Sequence, residues 1–323
     1  MKYIHQLLIA FVVLVATACS KDVIEPTLMN DFLKKTEAPP VVGEKLEFAY
    51  AMATREGFLK NATAEVSIAG ASGTGFETKS YHVDSKGTDV GVLVADTSTV
   101  SILSSAVFNK DTVSAALRFT YVVPKEAKGK TIQITFKVES TLGQVTTITT
   151  PVYNISNIEI ARNVVMTNKN ACYFSLETMK SYTEAQVNDQ NMQDKIDLIY
   201  GYDPTTPAPE RYAYGHALLS PSTEVKYLNG RTVPANFKLN KSKIEKKVYL
   251  NDMLLSGVLP ATYVDDIDLQ TLEISHALDF ILGIVSKNSV LVESEDGKYR
   301  AYIYVTSAAS SKLTIGVKRL TIE

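Results

Sequence analysis

The chain has no tryptophan, only two cysteines and only four histidines. Lacking a paired cysteine framework, it cannot be a small disulfide scaffold. The histidines (His5, His82, His216, His276) stand apart from one another and from both cysteines, and no HExxH occurs, so no transition-metal spacing is present. A Gly-x-Ser-x-Gly elbow is also missing, which removes the usual sign of an α/β-hydrolase. There is no Lys/Arg stripe long enough to neutralise a phosphate backbone: residues 241–247 are mixed and contain Glu245. Nucleic acid is therefore not an expected partner, and no cofactor is implied.

One apolar run stands out, and it is short. Lys2 precedes the run from Leu7 to Val15, which ends in Ala16-Thr17-Ala18-Cys19. A bilayer core of about 30 Å needs roughly 20 apolar residues, so the run reads as the h-region of a signal peptide over residues 1–18. The Ala16–Cys19 stretch resembles the lipobox of bacterial lipoproteins, although Ala16 stands where leucine is commonest. The resemblance implies cleavage before Cys19 and lipidation of its sulfur; an ordinary secretory signal is the alternative. Ser20-Lys21-Asp22 resembles the short export signal of Bacteroidota lipoproteins shown on the outer face of the outer membrane. With Cys19 lipidated, Cys172 has no partner, and its apolar context (Ala171-Cys172-Tyr173-Phe174) reads as an inert buried thiol. Removing the leader takes Lys2 with it and lowers the formal net charge from −2 to −3.

The remaining ~300 residues suggest two domains. Residues 19–40 are polar, end in Ala38-Pro39-Pro40, and read as a lipidated tether with one helical turn over 28–34. Residues 41–166 hold short β-branched and aromatic runs between Gly, Asn and Asp turns, and segments 64–68, 116–122 and 131–138 alternate with period two. The polar stretch 124–130 is expected to turn the second of the latter two back antiparallel to the first. This predicts an immunoglobulin-like β-sandwich without the cysteine pair. Residues 167–323 read as a β-rich α+β domain, with strands near 172–176, 196–200, 213–219, 290–293, 299–305 and 312–322. The turn Glu295-Asp296-Gly297-Lys298 marks a hairpin. Leu269, Leu272, Leu278 and Ile281 have helical spacing and predict one or two helices over 267–285. The fold class is thus mainly β.

Four segments of the second half, Tyr173–Thr178, Ile196–Tyr202, His216–Pro221 and Asp296–Tyr299 leading to Tyr304–Ser307, together with Ser67–Thr74 and Val123–Lys130 of the first, are similar to uncharacterised Bacteroidales cell-surface lipoproteins. The resemblance covers nearly the whole mature chain. It implies lipid anchoring at an outer membrane and an N-terminal immunoglobulin-like domain, and no reaction.

Chemistry-bearing clusters are few. Gly70–Gly75 is a glycine-rich turn without the Lys-Ser/Thr ending of a phosphate loop. Asp265, Asp266 and Asp268 offer hard oxygen ligands for calcium, yet lack EF-hand spacing; the other reading is a helix N-cap. Asp189, Asn191 and Asp194 read as a solvated turn, with a cation site as the alternative. Tyrosine is the one hint of binding. There are 17, and Tyr200, Tyr202, Tyr212, Tyr214 and Tyr227 gather around the proline-rich loop 203–209. Their faces and hydroxyls suit a sugar ring or a protein interface, whereas the bland reading makes them half-buried strand residues. The expectation is a non-enzymatic module for glycan or another extracellular ligand. An accessory subunit of an outer-membrane complex is the alternative, and a hydrolase ranks third.

Overall fold

The computed structural model describes residues 27–204, 214–228, 231–248, 250–259, 261–274 and 276–322. Cys19 and the leader lie outside the described residues. The chain is mainly β, as its composition and periodicity imply.

The first half holds β1 (Leu28–Lys34), β2 (Lys45–Thr54), β3 (Leu59–Val66), β4 (Gly75–Val83), β5 (Asp89–Leu93) and β6 (Ala95–Val100). It continues with β7 (Leu103–Phe108), β8 (Ser114–Val122), β9 (Thr131–Ile132), β10 (Ile134–Ser140), β11 (Val145–Thr149) and β12 (Tyr153–Asn154). Two antiparallel five-stranded sheets result, ordered β1-β2-β8-β4-β5 and β11-β10-β3-β7-β6. Period-two alternation puts Phe48 and Tyr50 of β2 and Phe119 of β8 against Phe136 of β10, so the two sheets share one aromatic core. Phe136 is its centre, stacked on Tyr50 with ring centroids 4.7 Å apart and edge-on to Phe119 at 5.5 Å.

Two expectations need correction here. Residues 28–34 form the edge strand β1, paired along its whole length with β2, not a helical turn within a tether. Phe32 provides the reason, since it packs on both Phe48 and Phe136 and gives the segment a buried face. The stretch 124–130 does not fold β10 back onto β8 either. Val123 and Ala127 are buried, and a 3₁₀ turn at Lys125–Ala127 carries the chain across to the facing sheet, where β10 pairs with β3 and β11.

The second half begins earlier than expected. β13 (Glu159–Thr167) pairs with the last strand, which moves the division from 166 to before Glu159. The following elements are β14 (Tyr173–Ser175), β15 (Lys180–Tyr182), α1 (Glu184–Asp189), β16 (Leu198–Asp203), β17 (Gly215–Leu219), α2 (Val225–Leu228) and β18 (Lys243–Lys247). Then come α3 (Met253–Ser256), α4 (Asp266–Gln270), β19 (Phe280–Ile284), β20 (Ser289–Glu293), β21 (Tyr299–Ala309) and β22 (Lys312–Thr321). They form sheets ordered β13-β22-β21-β20-β18 and β15-β14-β16-β17-β19. Phe174, Leu198, Tyr200 and Leu218 of one sheet meet Val292, Ile303, Ile315 and Val317 of the other in a single core. The opposite face of the first of these sheets is covered as well: Leu291, Tyr302, Tyr304 and Leu320 pack under Val264 and Leu269, and Val41 and Ile158 join them from the junction of the halves. Burial on both faces explains why β20 and the middle of β21 are buried without alternation.

The helix expected over 267–285 is only α4; Phe280–Ile284 is the strand β19, paired with β17. Leu269 serves α4 and Ile281 serves β19, so the helical spacing joined two separate elements.

Candidate functional site

Among the described residues, the tyrosines singled out above do not form an exposed platform. Period-two alternation turns Tyr200 and Tyr202 of β16 toward the core side occupied by Leu198. Tyr200 is fully buried, and its hydroxyl shares a 2.7 Å hydrogen bond with Nδ1 of buried His216. Tyr202 is half-buried and packs on the same imidazole, with ring centroids 4.6 Å apart. Burial holds the Tyr200 hydroxyl far above its ordinary pKa and lowers that of His216. Tyr214 is 5% exposed and its hydroxyl accepts from Arg231 Nη1 at 2.5 Å. Tyr212 lies outside the described residues. Tyr227 stacks on Phe280 with ring centroids 4.0 Å apart. The bland reading therefore describes Tyr200 and Tyr214 as core residues: strand alternation buries Tyr200, and Tyr214, just before β17, is buried with its hydroxyl on Arg231.

The acidic cluster is a cap. Asp265 Oδ1 accepts from the backbone N–H of Ile267 at 2.9 Å and of Asp268 at 3.1 Å, while Asp268 Oδ2 accepts from the Asp265 N–H at 2.9 Å. These two carboxylates thus satisfy free backbone donors at the start of α4. Asp266 Oδ2 accepts from the Asn157 N–H at 3.3 Å. Among the described residues no three His, Cys, Asp or Glu side chains converge as metal ligands.

What the structure does bring together lies on the other face of the β14–β16 pair. Tyr173 and Ile199 are register partners, and their side chains point away from the face that Phe174 and Leu198 give to the core. Over them lies a cavity of about 450 Å³, with Cys172, Leu228 and Val233 completing the apolar wall. Its polar lining comes from Lys169 and Asn170 before β14, from Thr183 and Glu184 at the start of α1, and from Arg231 and Thr232 after α2.

Local chemistry fixes this rim. Thr183 and Gln186 form a reciprocal capping box, which sets the entry of α1 and so places Glu184. Arg231 is held by four acceptors: Tyr214 Oη at 2.5 Å, Leu228 O at 3.1 Å, Asn168 Oδ1 at 2.9 Å and Tyr202 O at 2.8 Å. That seat requires a glycine in β16. A Cβ on Gly201 would lie 2.8 Å from Tyr214 Oη and 3.5 Å from the guanidinium carbon. The Cys172 thiol is pushed up to about 11 by burial, so it is protonated and unreactive at neutral pH. Among its described residues the cavity therefore offers apolar contact and hydrogen-bond donors and acceptors, and its one thiol is not an activated nucleophile.

No motif spacing foretold this constellation. Its residues come from four separate stretches of sequence, and only the helix start at Thr183-Glu184-Ala185-Gln186 carries a local signal, that of a capping box.

Comparison with known proteins gives the following. The family model described as "Domain of unknown function (DUF4466)" matches residues 25–155, and that described as "Domain of unknown function (DUF8576)" matches residues 156–322. The two meet close to the division drawn above from β13. The crystal structure of a DUF4466 family protein from Parabacteroides merdae ATCC 43184 is 35% identical, covers 92% of this chain and 99% of that chain, and superposes with a TM-score of 0.84. BcpA, the major pilin subunit of Bacillus cereus, is 10% identical over 90% of this chain and 66% of that chain, with a TM-score of 0.29. ACE19, the collagen binding subdomain of the Enterococcus faecalis surface protein ACE, is 8% identical over 41% of this chain and 97% of that chain, with a TM-score of 0.25. Scores that low carry no argument about fold or function. No curated protein matches the chain.

Proposed function

This chain belongs to the DUF4466 family, and on that premise we propose that it is a lipid-anchored, surface-exposed outer-membrane protein that binds glycan or a similar extracellular ligand without transforming it. The lipid is carried by Cys19, and the first half acts as an immunoglobulin-like spacer. The cavity over Tyr173 and Ile199 carries the proposal: about 450 Å³ falls within the ~300–1,000 Å³ of ligand sites, and an apolar wall with a polar rim is their usual lining. A sugar needs both parts, a flat apolar contact for its C–H face and several hydrogen-bonding groups for its hydroxyls. The protonated Cys172 thiol is no nucleophile, which supports binding over catalysis among the described lining residues.

The test is a glycan and polysaccharide array probed with the soluble chain from Ser20 onward, beside an Asn170→Ala, Glu184→Ala variant. Both side chains are exposed, so the fold is kept. Saturable binding that the double substitution weakens about tenfold or more supports the reading; an array without any hit refutes the glycan assignment.

A second reading has its own observation. Val83, Leu93, Val100, Leu103 and Val107 are exposed along the edge of the first half formed by β4 to β7. Such a surface suits an accessory subunit docked on an outer-membrane partner. Cross-linked capture of a defined membrane complex, abolished by Val100→Lys with Leu103→Lys, is the outcome that would favour it.

A further inference from the structure

A second cavity lies between the β20–β21 turn and the segment that leads into β16. It measures about 240 Å³, below the ~300 Å³ at which drug-sized sites begin, so it suits one terminal group and not a chain of sugars. Among its lining residues is Asp197, only 7% exposed. The Asp197 carboxylate has one protein partner, since Oδ2 accepts from the Leu176 N–H at 2.7 Å and Oδ1 accepts from none of the described residues.

The neighbouring charges do not neutralise it. Lys195 is taken by Glu177 at 3.0 Å and Lys238 by Glu295 at 2.8 Å. That leaves Asp194, Asp197 and Asp296 against Lys298 alone, and the Lys298 ammonium lies over the Tyr299 ring, 5.2 Å from its centroid. One oxygen of Asp296, Oδ1, accepts from Ser294 Oγ at 2.6 Å and from the Lys298 N–H at 3.0 Å. Asn240, also in the lining, spends its amide N–H₂ on the carbonyls of Asp194 and Ile196, both at 2.9 Å, which leaves its side-chain oxygen as a second acceptor without a donor.

We propose that this cavity is a separate ligand site that takes a primary ammonium group, with Asp197 Oδ1 and the Asn240 side-chain oxygen accepting its hydrogen bonds. An ammonium is a donor without acceptors, which matches a pair of open acceptors carried by two largely buried side chains. A hydroxyl would leave half of its own capacity unmet. A divalent cation is disfavoured, because among the described residues no three acidic side chains converge as a ligand set. Burial, reinforced by Asp296 and Glu177 and opposed by Lys238, pushes the Asp197 carboxyl up to about 7. Proton and ammonium then compete for one oxygen, and binding weakens as the pH falls below that value.

This inference is independent of the glycan reading, which concerns the other cavity. The ammonium could come from an amino sugar or from a lysine side chain, so the probes are glucosamine and Nα-acetyl-lysinamide, with N-acetylglucosamine as the neutral twin. Calorimetric titration of the soluble chain at about pH 7.5 should show saturable binding of at least one amine and none of N-acetylglucosamine. The same amine should bind about tenfold more weakly at about pH 5.5 and in Asp197→Asn, whose amide oxygen still accepts from Leu176. Lys238→Met, a change at the exposed rim, frees Glu295 and should strengthen binding. Failure of both amines to bind, equal binding of the neutral twin, or binding unchanged in Asp197→Asn overturns the proposal.

Discussion

At the scale of single residues, two buried charged groups set the largest expected effects. Asp197 has a folded-state pKa of about 7 against 3.8 for the free group. The folded chain therefore binds this proton more tightly than the unfolded chain does. Stability from this group is full below the lower value, falls as pH rises between the two, and stays at its lower level above about 7. Asp197→Asn removes the titration but keeps the acceptor for Leu176, so urea denaturation at about pH 8 should find the variant more stable, by at most about 4 kcal/mol, with the gain vanishing near pH 4. Lys318 behaves oppositely. It is 1% exposed, donates to Asp252 Oδ2 at 2.6 Å and to Val264 O at 2.8 Å, and Asp252 in turn accepts from the Leu255 and Val264 N–H groups. Lys318→Met strands a buried carboxylate, and should lower the unfolding free energy by about 3–5 kcal/mol in the same assay.

Among the elements, strands that alternate were legible in the sequence, and so were β20 and β21, whose apolar runs flank the Asp296-Gly297 turn although both faces are buried, and β22 after them. β8 read correctly, and β3 and β10 in part, because one face of each is buried and the other is more exposed. β16 misled: its tyrosines are polar enough to suggest a surface, yet Tyr200 finds its hydrogen-bond partner inside, in His216. β1 was read as tether because its burial rests on two residues, Leu28 and the half-buried ring of Phe32, within a polar stretch. If that ring anchors the edge strand, Phe32→Ala should cost about 2 kcal/mol, somewhat below the ~3–5 kcal/mol of a fully buried phenylalanine, and should speed hydrogen exchange along 28–34. The cavity over Tyr173 was illegible for a plainer reason. Side chains from four distant stretches meet only after β14 and β16 have paired and the capping box has started α1.

For the whole molecule, the two halves are tied through one contact region. Glu159 of β13 pairs with Lys128 of the first half at 2.5 Å and with Arg319 of β22, and Arg162 reaches Glu44 at 2.9 Å. Beneath these pairs Val41 joins Ile158, Val264 and Leu320 in a common apolar cluster. The pairs are partly exposed and contribute little by themselves, so the apolar cluster should dominate the coupling. Calorimetry should accordingly record one unfolding transition for the soluble chain, and Val41→Asp should split it into two.

The central claim is that the second half binds a saccharide over Tyr173 and Ile199, and its most direct test is hydrogen exchange of the soluble chain with and without the best glycan from the array. The account predicts slowed exchange confined to residues 169–173, 183–185 and 231–233. Unchanged exchange there, or protection found only in the first half, would contradict it.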